Sequence, residues 1–238
     1  MTVAGAPADK PARLVGPGDP VVVTAADHAW VSRGGLKLDA ALERFAIDVR
    51  GRRCLDAGAS TGGFTDVLLH RQARQVWAVD VGRGQLHERI RRHPQVVAHE
   101  RTNVRLTTLA DLGGEPFDVV VADLSFISLR TVAPVLAGDL ATPGADLVWL
   151  VKPQFEAGRA SVSAGKGVIR DPKIWEDALV GVGGALIDGG AAIMGAMSSP
   201  LRGADGNVEF LLWSRAHAHG GIPLDVAVAT ALTEVAAP

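Results

Sequence analysis

Lys37, Asp123, Lys152 and Glu209 carry charge in places where charge is inconvenient. Asp123 closes the apolar run "VVVAD", Lys152 closes "LVWLV", Glu209 interrupts "NVEFLLW", and Lys37 stands in "GLKLDAALERFA". A charge at the end of a buried strand must be paired or put to use. An ion pair explains any one of the four as well as a function does; all four together point to function. Two lysines with two carboxylates suit the deprotonation of a hydroxyl, such as a ribose 2′-OH, that must lose its proton as it attacks. A neutral lysine can accept that proton, and desolvation with a second cation nearby favours the neutral form. A carboxylate orients the amine, and in-line transfer then depends on positioning and electrostatics, without a covalent intermediate. No metal centre is expected: Cys54 stands alone, and the histidines lack ligand spacing.

A second constellation is "CLDAGASTGGFT", residues 54–65. Gly58 and Gly63 bracket four residues, and Thr65 takes the hydroxyl position of a Walker A phosphate loop, but Phe64 replaces its lysine. The dinucleotide pattern G-x-G-x-x-G fails as well, because Ser60 replaces the second glycine. Glycines at a strand-to-helix turn let a ligand approach the backbone closely, although a turn glycine can also serve packing alone. Asp56, just before the turn, would repel a phosphate and suit an ammonium. Asp80, ending the next strand, is placed to accept from two ribose hydroxyls, as the acidic residue about 20 positions after such a turn does. Adenosine, a sulfonium and a zwitterionic amino-acid end meet these conditions together, which makes S-adenosylmethionine the expected ligand.

These residues need a scaffold, and the hydrophobic pattern supplies one. Residues 35–46 place Leu36, Leu42 and Phe45 at helical spacing. Strands and helices then alternate: strand "RRCLDAG", helix 62–71, strand "QVWAVDV", helix 84–92, short strand "QVVAHE" and long strand "FDVVVADLSF". Helix 128–138, strand "ADLVWLVKP" and helix 173–187 follow. "AAIMGAMSSP" and "GNVEFLLWS" have no helix between them and read as an antiparallel hairpin at one edge. Apolar strands without alternation, separated by helices, predict an α/β fold. A mostly parallel Rossmann-like sheet with a C-terminal antiparallel hairpin is expected, and by analogy that ending is commoner in S-adenosylmethionine-dependent methyltransferases than in dehydrogenases. Ligands bind such sheets at the carboxyl ends of the strands, near the topological switch point. Asp56–Gly58, Asp80, Asp123 and Lys152 all fall there.

Composition narrows the function classes. The chain has 238 residues, enough for one large domain with a small appendage. Its net charge of −2 excludes a globally basic RNA-coating protein but leaves room for a local patch. A single cysteine excludes an internal disulfide framework and fits a reducing compartment. Neither a signal-peptide pattern nor a run of about 18 apolar residues is present, so a cytoplasmic, non-membrane protein is expected. Arg83, Arg89, Arg91, Arg92, Arg101 and Arg105 cluster in one segment, as a nucleic-acid patch or a solvated helix face. Arg159, Lys166, Arg170 and Lys173 fill a long loop after Lys152, a better candidate for RNA contact, where a target base could be flipped in.

"SRGGLKL", "CLDAGASTGGFT", "DLSFISL", "VKPQFE", "GKGVIRDP" and "SPLRGADGNVEFLLW" resemble the TlyA family, in the family's order, from about residue 28 to 214. Members of that family also carry the name hemolysin and are ribosomal RNA cytidine 2′-O-methyltransferases with an FtsJ/RrmJ-like domain. The resemblance implies that Lys37, Asp123, Lys152 and Glu209 form a K-D-K-E tetrad with Lys152 as general base. It implies a cofactor site at turn 56–63, with Asp56, Gly58, Ser60, Thr61, Gly62 and Gly63, flanked by Phe64, and joined by Asp80 and Asp123. Asn103 lies where relatives approach the adenine. The implied partner is ribosomal RNA in assembled ribosomal subunits.

Two departures accompany the resemblance. Relatives begin with an S4-type RNA-binding domain, of which residues 1–28 read as a remnant and linker. The methyltransferase domain is then expected at 29–215 and a C-terminal tail at 216–238. Relatives join the domains with R-x-W-V, where this chain reads His28-Ala29-Trp30-Val31. Three alternatives therefore stay open: a cofactor-binding remnant blind to RNA, a membrane-active hemolysin, and, more distantly, a nicotinamide dehydrogenase.

Overall fold

The computed structural model of the chain describes residues 2–8, 13–22, 30–158, 165, 167–203 and 206–236. Near the N-terminus β1 (Thr2–Val3) pairs antiparallel with β2 (Ala6–Pro7) on one side and β3 (Val21–Val22) on the other. The rest of the run "PVVVTA", residues 23–25, lies outside the described residues, as do Lys10, His28 and Ala29.

The central sheet contains β4 (Arg53–Ala57), β5 (Gln75–Val79), β6 (Val96–His99), β7 (Phe117–Ala122), β8 (Ala141–Val151), β9 (Ala192–Ser198) and β10 (Phe210–Arg215). Its order is β6-β5-β4-β7-β8-β10-β9. The strands from β6 to β8 are parallel, and β10 runs antiparallel to both β8 and β9. The expected hairpin is thus present, and its second strand inserts between β8 and the edge strand β9. The chain steps outward from β4 to β6, then returns to the other side of β4 for β7. This reversal makes the gap beyond β4 and β7 the switch point, where a ligand crevice is expected.

Strand periodicity divides the core between two faces. Leu55, Val120, Leu147 and Trp149 point to the face covered by α4 (Leu129–Ala133) and the helices Pro172–Asp188 and Leu224–Ala236. Cys54, Val119, Val121, Val148 and Leu150 point to the other face, under α1 (Gly34–Arg44) and α2 (Gly63–His70). Each fully buried leucine among them contributes about 2 kcal/mol of apolar transfer, so the sheet is a rigid platform for residues at its strand ends.

One expectation changes. The helix expected over 84–92 shortens to α3 (Glu88–Arg91), because Gly84 sits at φ +66° and His87 Nδ1 caps the helix by accepting from Arg89 N. The C-terminal segment is a structural part of the fold: Ala227, Val228 and Ala231 pack into the main core. Ile222 N donates to Ile193 O at 2.8 Å, and Ser198 N to Glu234 Oε2 at 2.8 Å. Both bonds satisfy backbone groups of the edge strand β9, which protects it from pairing with another chain. Among the described residues no helix is long and apolar enough to cross a membrane.

Candidate functional site

The glycine turn follows β4 because the neighbouring chain leaves no room for side chains. Gly58 adopts φ +90°, and a Cβ there would come within 2.4 Å of Asp123 O, at the end of β7. A Cβ on Gly63 would meet Ser32 Oγ at 2.2 Å. Ser60 accepts a left-handed φ of +49°, a conformation that costs a non-glycine residue on the order of 1 kcal/mol. Its N–H donates to Asp80 Oδ2 at 2.8 Å, and Gly82 N donates to Asp80 Oδ1 at 2.6 Å. Two backbone donors therefore aim the Asp80 carboxylate, and each oxygen keeps a lone pair for a further donor.

Two cavities meet at this turn. The larger, about 420 Å³, runs past Asp80, Gln85, Asn103, Leu124 and Phe126. The smaller, about 170 Å³, is walled by Ser32, Lys37, Thr61, Gly63 and Phe64. Gly58, Ser60 and Asp123 line both. Asn103 caps the 3₁₀ turn Val104–Leu106, accepting from Arg105 N at 3.1 Å. Gly62 packs its backbone toward Leu86 and Ile90.

Asp56 is fully buried beneath the turn. Its Oδ2 accepts from Thr65 Oγ1 at 2.6 Å, while Oδ1 has no hydrogen-bond partner. Burial pushes its carboxyl up to about 7, against the Thr65 hydrogen bond and with the charges of Asp123 and Asp80 adding to the effect. Three carboxylates thus crowd the end of β4, β5 and β7. That field is hostile to a pyrophosphate and favourable to a cationic ligand. The cradle at Gly58 and the oriented Asp80 fit S-adenosylmethionine, with its sulfonium and ribose diol, and Asp56 adds negative charge from beneath the turn.

The four charged residues form two ion pairs. Lys37 Nζ lies 2.5 Å from Glu209 Oε2, with Glu209 only 3% exposed. Lys152 Nζ lies 2.6 Å from Asp123 Oδ1 and donates to Ser125 Oγ at 3.0 Å. The pairs come together through the smaller cavity, whose wall contains both Lys37 and Asp123. Asp123 therefore touches the lysine of one pair while walling both cavities.

The family model of FtsJ-like methyltransferases matches residues 30–216. The chain belongs to the FtsJ-like methyltransferase family. It is 52% identical over 216 residues to the 16S/23S rRNA (cytidine-2′-O)-methyltransferase TlyA of Mycobacterium tuberculosis, covering 90% of this chain and 80% of that protein. A solved structure named as a hemolysin, from Streptococcus thermophilus, matches with a TM-score of 0.82 and 37% identity. The match covers 92% of this chain and 80% of that one. An S-adenosylmethionine-dependent methyltransferase from Mesorhizobium loti shares the fold alone, at 16% identity and a TM-score of 0.53, over 74% of this chain and 96% of that one.

In this FtsJ-like methyltransferase several residues around the cavities carried no signal of their own in periodicity or charge, only as members of the blocks "DLSFISL" and "VKPQFE". Phe126 is 91% exposed at the rim of the larger cavity, holds φ +64°, and leans on Phe155 with ring centroids 5.1 Å apart. A large exposed aromatic on left-handed backbone, at the rim of the cavity that Asp123 walls, is not accounted for by core packing. Ser125 and Glu156 likewise had no periodicity of their own to mark them. The basic clusters are thinner than their sequence suggests. Arg89, Arg91 and Arg92 pair with Asp66, Glu100 and Glu88, and Lys173 pairs with Glu176 and Asp177 on its own helix. Arg83, Arg101 and Arg105 form no ion pair within 4 Å among the described residues. Arg159 and Lys166 lie outside the described residues.

Proposed function

We propose that this chain transfers a methyl group from S-adenosylmethionine to the 2′-oxygen of cytidines in ribosomal RNA, with assembled ribosomal subunits as substrate. The observation that carries the reading is the double role of Asp123. One carboxylate lines both the larger, cofactor-sized cavity and the smaller one beside it, and pairs with the amine best placed to act as base. The similarity to TlyA of Mycobacterium tuberculosis supports the substrate class.

Gly58, Ser60, Thr61, Gly63 and Phe64 would hold the amino-acid end of the cofactor, with Asp56 supplying negative charge from below. Asp80 would accept from the ribose hydroxyls, and Asn103 would border the base. When bound, the cofactor supplies an electrophilic methyl group on sulfur. Lys152 Nζ, in its neutral form, takes the proton of the ribose 2′-OH. Asp123 and Ser125 hold that amine in one orientation, so its lone pair is presented at a fixed place. Lys37, anchored by Glu209, keeps a donor on the opposite side of the cavity. Phe126 offers an aromatic face on which an unstacked base can rest, and Arg83, Arg101 and Arg105 are free to meet phosphates near the cavity mouth.

The test is transfer of labelled methyl to unmethylated ribosomal subunits, with Lys152→Ala in parallel. Label at a cytidine 2′-O position that disappears in the variant is the expected result. Tight binding of S-adenosylhomocysteine without any label would leave the cofactor site standing and remove the RNA substrate.

A further inference from the structure

Lys152 and Asp123 come from different strands, and their meeting depends on how two loops are held together. The first loop, residues 123–128, leaves β7 and ends at Ser128, which caps α4 by accepting from Arg130 N. The second segment is α5 (Pro153–Glu156), immediately after Lys152. Glu156 is 8% exposed, and among the described residues its carboxylate binds the first loop and the helix that follows it. Oε2 accepts from Ser128 Oγ at 2.5 Å and from Arg130 Nε at 3.3 Å, while Oε1 accepts from Leu129 N at 2.7 Å. Arg130 Nη2 also donates to Glu156 O at 2.8 Å. Toward the other end of the loop, Asp123 N donates to Ala57 O at 2.9 Å.

Between these two anchors lies Phe126 in its left-handed conformation, with Ser125 beside it on Lys152. Such backbone persists only where its surroundings over-determine it. A buried carboxylate spends several hydrogen bonds here on one loop, although α5 is a single turn that contributes little core. We propose that Glu156 is a positioning residue: it clamps loop 123–128 onto the Lys152 segment, so that Asp123 and Ser125 hold the amine and Phe126 stays at the rim. The clamp acts through Lys152 and therefore rests on the reading of that residue as base. Glu156 itself touches neither ligand cavity.

The experiment compares wild type, Glu156→Ala, Glu156→Gln and Lys152→Ala. It measures kcat and KM for unmethylated ribosomal subunits, affinity for S-adenosylhomocysteine, and melting temperature. Glu156→Ala should lower kcat by about thirtyfold or more, as a misplaced catalytic group does. KM for the subunits and S-adenosylhomocysteine affinity should change less than kcat, by no more than about tenfold, because loop 123–128 walls the larger cavity while the glycine turn and Asp80 are untouched. Glu156→Gln keeps the side-chain length and one acceptor for Leu129 N, and should recover kcat to within about fivefold of wild type. If Glu156→Ala does not fold, Ser128→Ala removes one donor to the clamp and should still lower kcat by about fivefold. A variant of Glu156 that melts earlier while the folded enzyme keeps wild-type kcat overturns the proposal. So does a rise in KM or loss of cofactor affinity with kcat unchanged. An active Lys152→Ala enzyme would instead remove the base reading, whatever the Glu156 variants do.

Discussion

The two edges of the central sheet both bury charge, and they treat it in opposite ways. At the amino edge Arg53 is 3% exposed, donates to Leu112 O at 2.6 Å and to the carbonyl of Glu115, and lies over the rings of Phe117 and Trp77 at 4.3 and 5.0 Å. Asp146, nearby, accepts from Arg52 at 2.7 Å and from Trp213 and Arg215 at 3.0 Å each. Protein groups close off each of these charges. At the carboxyl edge Asp56 keeps an oxygen without a hydrogen-bond partner, and Asp123, paired with Lys152, walls both cavities. Phe126 stands exposed on strained backbone there. Buried charge closed off by protein groups serves stability, and charge that walls a cavity marks where a ligand can bind.

That division can be broken by two substitutions with opposite signatures. Lys152→Ala should reduce methyl transfer by about 10³-fold, within the range of a positioned general base. Its melting temperature should fall less than that of Arg53→Ala, since one largely buried ion pair and the Ser125 bond are lost while Asp123 remains in contact with a cavity. A variant retaining a tenth of the wild-type rate would end the assignment of Lys152. Arg53→Ala should do the reverse. It strands buried carbonyls and removes a cation from between two rings, at a cost of about 3 kcal/mol measured by urea unfolding. The enzyme that remains folded should keep its kcat within about twofold. Loss of rate in that folded fraction would show that the amino edge is coupled to the chemistry after all.

Why one edge reads more easily than the other from sequence is a matter of range. The strands were legible because a doubly covered parallel sheet demands unbroken apolar runs, and Asp123 and Lys152 stood out as charges ending such runs. Glu209 and Lys37 were visible for the same reason, although their partnership across 172 residues was not. Thr65 was read as the hydroxyl of a failed phosphate loop; its actual partner is Asp56, nine residues back and inside the core. The depth of Asp56 could not be seen, since position in sequence before a turn does not say whether a side chain faces the ligand or the floor. Glu156 and Ser128 acquire their roles only when β7 and β8 lie side by side. The short α3 escaped because a pair of nearby glycines outweighed an amphipathic pattern, and only the φ of Gly84 decides that contest.

A smaller effect sharpens the account of the cofactor end. Asp80 holds Ser60 N and Gly82 N with separate oxygens, and an amide has only one oxygen to offer. Asp80→Asn should therefore lose one of these bonds as well as the charge facing the ribose. Affinity for S-adenosylhomocysteine should fall about thirtyfold, or about 2 kcal/mol, as expected for hydrogen bonds to a charged group. Titration calorimetry gives the number directly. Unchanged affinity would mean that the ribose is held elsewhere in the larger cavity.

The last prediction concerns proton linkage at Asp56. Its carboxyl is raised from 3.8 to about 7 by burial, so the folded chain holds this proton more tightly than the unfolded chain does. The contribution to stability is then fully present below pH 4 and is lost as pH rises toward 7, because the folded state alone retains the proton in that window. A cationic ligand above the turn should act in the opposite sense, since it favours the ionised carboxylate. Cofactor affinity should consequently rise between pH 6 and pH 8, by up to about tenfold, with release of a proton on binding. Calorimetry in two buffers of different ionisation enthalpy detects that proton. Asp56→Asn should flatten the affinity profile and abolish the buffer dependence. A wild-type enzyme whose affinity is level across this range would show that the ammonium of the cofactor is neutralised by another group, and that Asp56 serves the turn through Thr65 alone.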